Sequence, residues 1–242
     1  MMHAFLLIGQ SNMAGRGKIG EVEPIDNPHL WMLRNGRWQP MSTPVNPDRP
    51  FAGVGLSERF ADLYQLDHDV EVGLIPCADG GTRIEQWQEG GLLFDHAVMQ
   101  TRLAERTASL AGILWHQGES NCKDGRFDGY RERFEAFYAA IVRELHAKEQ
   151  PFIIGEMGSF LQKLPEESVY YESMNTCLRS IAEEHPMIRC VSADGLTGYP
   201  DHLHFTAEAQ RLLGERYYRA FRALEPMNRF FTEKPSMDNA VR

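Results

Sequence analysis

Short apolar runs alternate along the chain with longer stretches of helical periodicity. The apolar runs are rich in Ile, Leu, Val or Phe and occupy residues 3–8, 70–75, 111–115, 151–155 and 188–191. Short runs without polar alternation are typical of strands that are covered on both faces. The pattern therefore predicts five buried strands.

The segments between these runs carry apolar residues at steps of three and four, the spacing of one face of an α-helix. Such stripes fall within residues 56–64, 92–110, 127–145, 170–181 and 213–224, and the stripe in 92–110 is the weakest. Thr206 stands where an N-cap of the last helix is expected, because its hydroxyl can accept a bond from the first turn. We predict helices in all five segments.

Strands and helices that alternate in series are typical of an α/β fold, with a parallel sheet covered by helices on both faces. We predict one domain over residues 1–225. Residues 12–52 form a long, irregular, proline-containing stretch, and a loop of that length in a compact domain is usually functional, so we predict a long active-site loop region there. Residues 226–242 show no periodicity and are predicted to be a C-terminal tail.

Composition narrows the possible partners. The chain has 242 residues, of which 43% are hydrophobic, and 25 basic against 34 acidic residues leave a net charge of −9. Nucleic acid and anionic membranes attract clustered positive charge, so neither is expected as a partner. The four cysteines are far apart and contain no C-x-x-C pair, which indicates reduced thiols and excludes a disulfide scaffold.

The sequence also carries an expectation about location. The apolar run at residues 4–8 is much shorter than the core of a signal peptide, and no small-residue cleavage site follows it. No stretch approaches the ~20 apolar residues that a membrane-spanning helix needs. A cytoplasmic protein is therefore expected.

Polar clusters directly follow the predicted strands. Ser11 comes after the first strand, Gly81 after the second and Gln117 after the third, while Asp201 and His204 lie between the fifth strand and the last helix. In open α/β sheets, ligands bind outside the carboxyl ends of the strands. We therefore expect these residues to converge on one site.

The residue types match the requirements of acyl transfer, which needs a nucleophile, a base, a group that orients the base and donors for the oxyanion. Ser11 is the candidate nucleophile, and His204 is the candidate base, three residues beyond its candidate partner Asp201. Backbone amides of Ser11 and Gly81, with the side-chain amide of Gln117, are candidate oxyanion donors. Each residue taken alone also fits a structural role in a turn or cap.

Four motifs in order resemble the SGNH hydrolases, in the branch of sialate O-acetylesterase-like and acetyl xylan esterase proteins. They are Gly-Gln-Ser-Asn-Met-Ala-Gly at 9–15, Gly-Gly-Thr-Arg-Ile at 80–84, Trp-His-Gln-Gly-Glu-Ser-Asn at 115–121 and Asp-His-Leu-His-Phe at 201–205. The resemblance implies a flavodoxin-like three-layer α/β/α sandwich, with Ser11, His204 and Asp201 as the catalytic residues. The wider superfamily uses Asn as a side-chain oxyanion donor where this chain has Gln117.

The resemblance also implies a substrate class, an O-acetylated carbohydrate, small or oligomeric. The residues predicted to contact it are Gln10, Asn12, Arg83 and Glu119. Glu119 fits equally well as a residue that ties down its own loop. Trp31, Trp38 and Trp87 are candidates either for stacking on a sugar or for the core.

Three alternatives remain open on the sequence. A metal hydrolase would use His116, Glu119, Asp201, His202 and His204, but their spacing matches no tight helical ligand pair and leaves Ser11 without a role. The second is a non-catalytic carbohydrate-binding protein, and the third is an esterase of broad short-chain specificity. The esterase interpretation needs neither a metal nor a cofactor, so none is predicted.

Overall fold

Seven strands form one mixed sheet in the computed structural model, which describes residues 1–123, 125–164 and 170–225. The predicted tail at 226–242 lies outside the described residues. The strands are β1 (Met2–Gly9), β2 (Leu30–Arg34), β3 (Arg37–Pro40), β4 (Val72–Pro76), β5 (Ala108–His116), β6 (Phe152–Gly155) and β7 (Ile188–Val191). The five predicted strands correspond to β1, β4, β5, β6 and β7.

The strand order is β3-β2-β4-β1-β5-β6-β7, and all neighbours are parallel except β2 and β3. Strand β1 is central: Leu6 pairs with Ile75 of β4 on one side and with Ile113 of β5 on the other. The side chains of Ala4 to Ile8 are fully buried. A strand with neighbours on both sides and layers on both faces explains the continuous apolar run of the sequence.

The prediction of a five-stranded, all-parallel sheet was wrong, because β2 and β3 form a hairpin inside the segment 12–52. The hairpin turn consists of Asn35 and Gly36, with φ angles of 52° and 73°. Two residues at positive φ make the tight turn that matches the twist of paired strands, and Asn-Gly is its preferred sequence. That dipeptide was the signal in the sequence for the two additional strands.

Six α-helices accompany the strands in the described residues. They are α1 (Ser11–Ala14), α2 (Leu56–His68), α3 (Leu92–Ala104), α4 (Tyr130–Glu144), α5 (Tyr171–Glu184) and α6 (Ala207–Arg222). Thr206 caps α6 as predicted, since its hydroxyl accepts a bond from the Ala209 amide at 3.2 Å. None of the helices in the described part of the chain is long and apolar enough to cross a membrane.

The helix predicted over residues 92–110 is shorter than expected. It ends at Ala104, and β5 begins at Ala108, which pairs with Met2. Leu110 pairs with Ala4 of the same central strand. Pairing with β1 buries these residues, and this tertiary contact outweighs the weak helical periodicity of the segment.

Helices cover both faces of the sheet, as the alternation predicted. On one face Phe5 of β1 packs edge-to-face on Phe60 of α2, with ring centroids 4.9 Å apart, and on Phe221 of α6 at 5.4 Å. On the opposite face Trp115 of β5 packs against Phe137 of α4 at 4.7 Å. The central strands are thus packed on both faces, and the loops of the candidate site leave from their carboxyl ends.

The four cysteines are free, and Cys77 and Cys122 are buried. Burial raises the pKa of the Cys77 thiol well above its ordinary value and raises the pKa of Cys190 to about 12. A thiol in such surroundings stays protonated near neutral pH and is a poor nucleophile. These cysteines therefore act as small apolar residues.

Candidate active site

The loops that follow β1, β4, β5 and β7 meet at the carboxyl edge of the sheet. A cavity of about 370 Å³ lies between them. Of the sequence-predicted residues, the cavity is lined by Gln10, Ser11, Gly81, Glu119 and His204. The structure thus brings the candidate nucleophile, the candidate base and one candidate oxyanion donor to one cavity, at the edge where α/β sheets bind ligands.

Ser11, His204 and Asp201 form a hydrogen-bonded series. The Ser11 Oγ lies 3.1 Å from His204 Nε2, and His204 Nδ1 lies 2.8 Å from Asp201 Oδ2. A carboxylate can only accept, so the Nδ1 atom carries the proton and the Nε2 atom is left to accept the serine proton. This is the protonation pattern that a serine nucleophile needs from its base.

Asp201 is held in a short turn that leads into His204. Partial burial raises the pKa of Asp201, but bonds from the Leu203 amide, the His204 ring and the His204 amide outweigh it, and the net pKa is lowered. The two amides lie 2.9 and 3.1 Å from Oδ1. Asp201 is therefore ionised at neutral pH, as a group that stabilises an imidazolium must be.

Ser11 begins the short helix α1 directly after β1, in a turn that excludes larger residues on either side. Gly9 has a φ of 127°, and a Cβ atom there would lie 2.1 Å from the His116 carbonyl oxygen. Gly15 has a φ of 99°, and its Cβ would lie 2.7 Å from the Gly53 carbonyl oxygen. These glycines let the chain turn sharply and leave Ser11 at the cavity.

Two backbone amides at the cavity are available for an oxyanion. Among the described residues, no group accepts a hydrogen bond from the Ser11 or the Gly81 amide. The Gly80 amide, by contrast, donates to Asp48 Oδ2 at 2.8 Å. Gly81 has a φ of 81°, which glycine adopts without strain. The turn therefore binds the Gly80 amide to Asp48 and leaves the Gly81 amide without an acceptor among the described residues.

A buried ion pair that no sequence motif predicts supports the Gly80–Gly81 turn. Arg16 donates two bonds to Asp48, at 3.0 and 2.7 Å, and both side chains are almost fully buried. Asn46 exchanges two bonds of 2.9 Å with the backbone of Ala78. The segment 12–52, predicted as an active-site loop, therefore anchors the loop after β4. No local pattern in the sequence marks these long-range partners.

We expect Asp48→Ala to destabilise the fold by about 3 kcal/mol, because it leaves the buried Arg16 guanidinium without its partner. The kcat is expected to fall as well, since the Gly80 amide loses its acceptor. Urea unfolding and steady-state kinetics measure the two effects. The matched control is Asp79→Ala, which breaks the half-exposed pair with Arg49 and should cost less than about 1 kcal/mol. Equal losses in the two variants would contradict the role of Asp48.

Gln117 does not reach the cavity. It is fully buried, and its side-chain nitrogen donates to Asn121 Oδ1 at 2.8 Å, to the Thr82 carbonyl at 3.2 Å and to Gln10 Oε1 at 3.3 Å. An amide nitrogen has only two N–H bonds, so these protein acceptors use both. This geometry does not support the prediction that Gln117 donates to an oxyanion, because its N–H bonds point into the protein.

The side chains of Asn12 and Glu119 are hydrogen-bonded to each other beneath the cavity. Asn12 donates to Glu119 Oε1 at 2.5 Å and to the Leu203 carbonyl at 3.1 Å, and it accepts from the Phe205 amide at 3.2 Å. Asn12 therefore hydrogen-bonds to the backbone of both residues that flank His204, Leu203 and Phe205. It is fully buried and does not line the cavity, so a direct contact with substrate is not supported.

Glu119 borders the cavity but is bound mainly to the protein. Burial raises its pKa, but the adjacent His116 ring and the hydrogen bond from Asn12 outweigh this effect and the net pKa is lowered. The His116 Nε2 atom lies 3.4 Å from Glu119 Oε1, and His116 Nδ1 lies 3.0 Å from the Tyr217 hydroxyl. This arrangement favours the structural role of Glu119 that the sequence left open.

The other predicted contact residues lie away from the cavity. Arg83 is half-buried and does not line it. Trp87 is buried and donates to Thr82 Oγ1 at 3.1 Å, while Trp31 and Trp38 lie on the hairpin and donate to Glu71 and Thr107. The aromatic ring that does line the cavity is Phe51, which is 68% exposed. A lone Phe in an irregular segment carries no signal of that position.

The residues proposed for a metal hydrolase are not arranged as metal ligands. Within the ranges that the structure describes, no three His, Cys, Asp or Glu side chains are grouped closely enough to hold an ion. His204 is engaged with Asp201 and Ser11, and His116 with Tyr217 and Glu119. The ionisable groups are thus divided between two separate hydrogen-bonded sets.

A three-layer α/β domain with this Ser–His–Asp series at the carboxyl edge of its sheet has the architecture of the SGNH-type carbohydrate esterases. Residues 1–223 match the family described as carbohydrate esterase, sialic acid-specific acetylesterase, and the chain belongs to that family. It is 30% identical over 243 aligned positions to the probable carbohydrate esterase At4g34215 of Arabidopsis thaliana. That alignment covers 90% of this chain and 89% of the plant protein.

Solved structures agree with this assignment. The crystal structure of At4g34215 from Arabidopsis thaliana superposes with a TM-score of 0.83 at 26% identity, covering 91% of this chain and 98% of that one. The crystal structure of NanS superposes with a TM-score of 0.73 at 15% identity, covering 96% and 98%. A catalytic mutant of Axe2, an acetylxylan esterase from Geobacillus stearothermophilus, has a TM-score of 0.53 at 13% identity, covering 91% and 93%. NanS and Axe2 share the fold of this chain.

Proposed function

We propose that the protein is a serine esterase that removes O-acetyl groups from carbohydrates through an acetyl-enzyme on Ser11. The observation that carries the proposal is the series from Ser11 through His204 to Asp201, with distances of 3.1 and 2.8 Å, at the wall of a small cavity. Membership of a carbohydrate esterase family supports the substrate class. A binding protein without activity does not need a serine hydrogen-bonded to a histidine that a carboxylate orients.

In the first half of the reaction, Ser11 Oγ attacks the acetyl carbonyl carbon while its proton passes to His204 Nε2. Ionised Asp201 stabilises the imidazolium that forms. The carbonyl oxygen becomes an oxyanion within reach of the free amides of Ser11 and Gly81. Collapse of the tetrahedral intermediate breaks the bond between the acetyl carbon and the sugar oxygen, and His204 returns its proton to that oxygen.

In the second half, water hydrolyses the acetyl-enzyme. His204 Nε2 accepts a proton from the water as its oxygen bonds to the acetyl carbon, and the same amides hold the second oxyanion. Collapse then breaks the bond to Ser11 Oγ, which takes the proton back from His204. Acetic acid leaves and loses its proton to solvent, and the enzyme returns to its starting protonation state.

The direct test is release of acetate from a panel of acetylated sugars, with neutral xylo-oligosaccharides and acidic sialic acids in separate arms. We expect turnover on at least one carbohydrate ester, with a kcat/KM above that for p-nitrophenyl butyrate. A preference for simple aryl or longer acyl esters over every acetylated sugar would instead favour a broad short-chain esterase. No acetate release from any ester, by a folded protein, would contradict the proposal.

The charge of the cavity favours an acidic sugar. Its lining contains the basic residues Arg16, Arg49, Lys123 and Arg126 and one acidic residue, Glu119, while Arg16 and Arg49 are paired with Asp48 and Asp79. Arg126 has no such partner within the described ranges, so its charge is available at the cavity, in a chain whose net charge is −9. A concave site lined by one sign of charge concentrates ligands of the opposite sign. We therefore propose that an acetylated sugar with a carboxylate binds better than a neutral one.

Replacing Arg126 by Gln tests this preference. Arg126 is exposed, and its guanidinium makes no hydrogen bond or ion pair within the described ranges. The variant should raise KM for an acidic acetylated sugar by about fivefold, the effect of one exposed ion pair, and leave KM for a neutral one unchanged. The control is Arg106→Gln, another exposed arginine outside the cavity lining. Equal effects of R126Q on both substrates would contradict an electrostatic role.

A further inference from the structure

The proposed reaction lacks a side-chain donor for the oxyanion. Ser11 and Gly81 supply two backbone amides, but the N–H bonds of Gln117 are used by Asn121, Thr82 and Gln10. The buried Oε1 atom of Gln117 has no hydrogen-bond partner in the described residues. Reversing its amide would place that oxygen against three acceptors, so the orientation of the Gln117 side chain is determined by its surroundings.

Gln10, the residue before the nucleophile, has an equally well-determined orientation. Its Oε1 atom accepts from the Ser120 amide at 3.2 Å, from Gln117 at 3.3 Å and from the Gly118 amide at 3.5 Å. Backbone amides only donate, so the atom that faces them must be the oxygen. The NH₂ group of Gln10 is thereby assigned to the other side of the amide.

That NH₂ group is available at the cavity. Gln10 lines the cavity together with Ser11, Gly80 and Gly81, although only 2% of its surface is exposed. Among the described residues, no acceptor takes a hydrogen bond from its nitrogen. The nitrogen is not among the fully buried unpaired atoms of the described residues, so it reaches the cavity surface, where a ligand oxygen can accept from it.

We propose that Gln10 is the side-chain oxyanion donor of this enzyme and that Gln117 is the positioning residue that holds it. The Gln117 bond and the two amides fix the Gln10 amide before substrate arrives. A preorganised donor of this kind acts on the charge that develops in the transition state and needs no rearrangement. The inference rests on the proposed function, because it names a further catalytic residue for the same acyl transfer.

The test compares Gln10→Ala and Gln10→Glu with the wild type in acetate release. Loss of one oxyanion donor is expected to lower kcat by about 100-fold with little change in KM. Glu keeps an oxygen for the Ser120 and Gly118 amides but replaces the NH₂ group with a second oxygen, so Gln10→Glu should lose at least as much as Gln10→Ala. The control is Gln65→Ala, a buried glutamine on α2 outside the cavity lining, with kcat unchanged.

Binding of a boronic acid, which forms a tetrahedral adduct with a serine oxygen, separates a catalytic role from a structural one. Its inhibition constant should rise in the Gln10 variants by about the factor that kcat/KM falls, as transition-state analogues do. A kcat within about threefold of wild type in both variants would overturn the inference, since oxyanion donors contribute far more. A fall in kcat with unchanged boronate affinity would also overturn the inference. If the wild type shows no Ser11-dependent turnover, it is the proposed function that fails.

Discussion

Ser11→Ala is expected to lower kcat for acetate release on the order of 10⁵-fold, the scale of removing a serine nucleophile. In the proposed mechanism the Ser11 hydroxyl oxygen attacks the acetyl carbon, and alanine offers no atom in its place. Its hydrogen-bond partner in the structure is His204, which keeps its bond to Asp201 in the variant. The melting temperature should therefore stay close to that of the wild type, as measured by circular dichroism.

The matched control for this variant is Ser42→Ala, which removes an exposed hydroxyl outside the cavity lining. It should retain full activity. Labelling with an organophosphate gives a second readout, because the wild type and Ser42→Ala should each take up one phosphoryl group and Ser11→Ala none. Retained acetate release by a folded Ser11→Ala variant would remove the nucleophile from the proposal and with it the acetyl-enzyme.

His204→Ala is expected to cause a loss of similar size, on the order of 10⁵-fold in kcat, because the serine proton then has no acceptor. The informative measurement is the double variant with Ser11→Ala. Two residues that act in one step do not contribute independently, so the double variant should be no slower than either single variant. Residual rates must be measured at high enzyme concentration against the uncatalysed background.

The control for His204→Ala is His96→Ala, since His96 is an exposed histidine on α3 and should leave kcat unchanged. If the losses of the two single variants multiplied in the double variant, Ser11 and His204 would act in separate steps. That result would contradict proton transfer between them. Full activity of His204→Ala would also contradict it and would direct the search to another base.

Much of the fold follows from local patterns. The predicted strands carry continuous apolar runs because β1, β4, β5 and β6 are buried on both faces, and a strand in that position has no solvent side to mark with polar residues. The cap at Thr206 depends on its own neighbours alone. The hairpin around Asn35 was not among the predicted elements, although its turn signal is present in the sequence.

For the active site, local patterns in the sequence predict less than they do for the fold. Asp201 and His204 are three residues apart, so their bond is local and the sequence predicts it. The motifs predicted contacts with substrate or oxyanion for Gln10, Gln117 and Asn12. The direction in which each side-chain amide points depends, however, on hydrogen-bond partners more than 100 positions away or on another loop. The Arg16–Asp48 pair and the position of Phe51 depend likewise on how residues 12–52 fold across the sheet edge.

The sequence by itself determined the family, the positions of five strands along the chain and the identity of Ser11, His204 and Asp201 as candidates. It did so because periodicity, caps and motifs are properties of residues close together in the chain. The tertiary structure alone decided which polar side chains face the cavity and which have all their donors hydrogen-bonded inside the protein. A side-chain amide has few hydrogen bonds to give, and only the arrangement of the surrounding loops determines whether Gln10 or Gln117 has one left for a substrate.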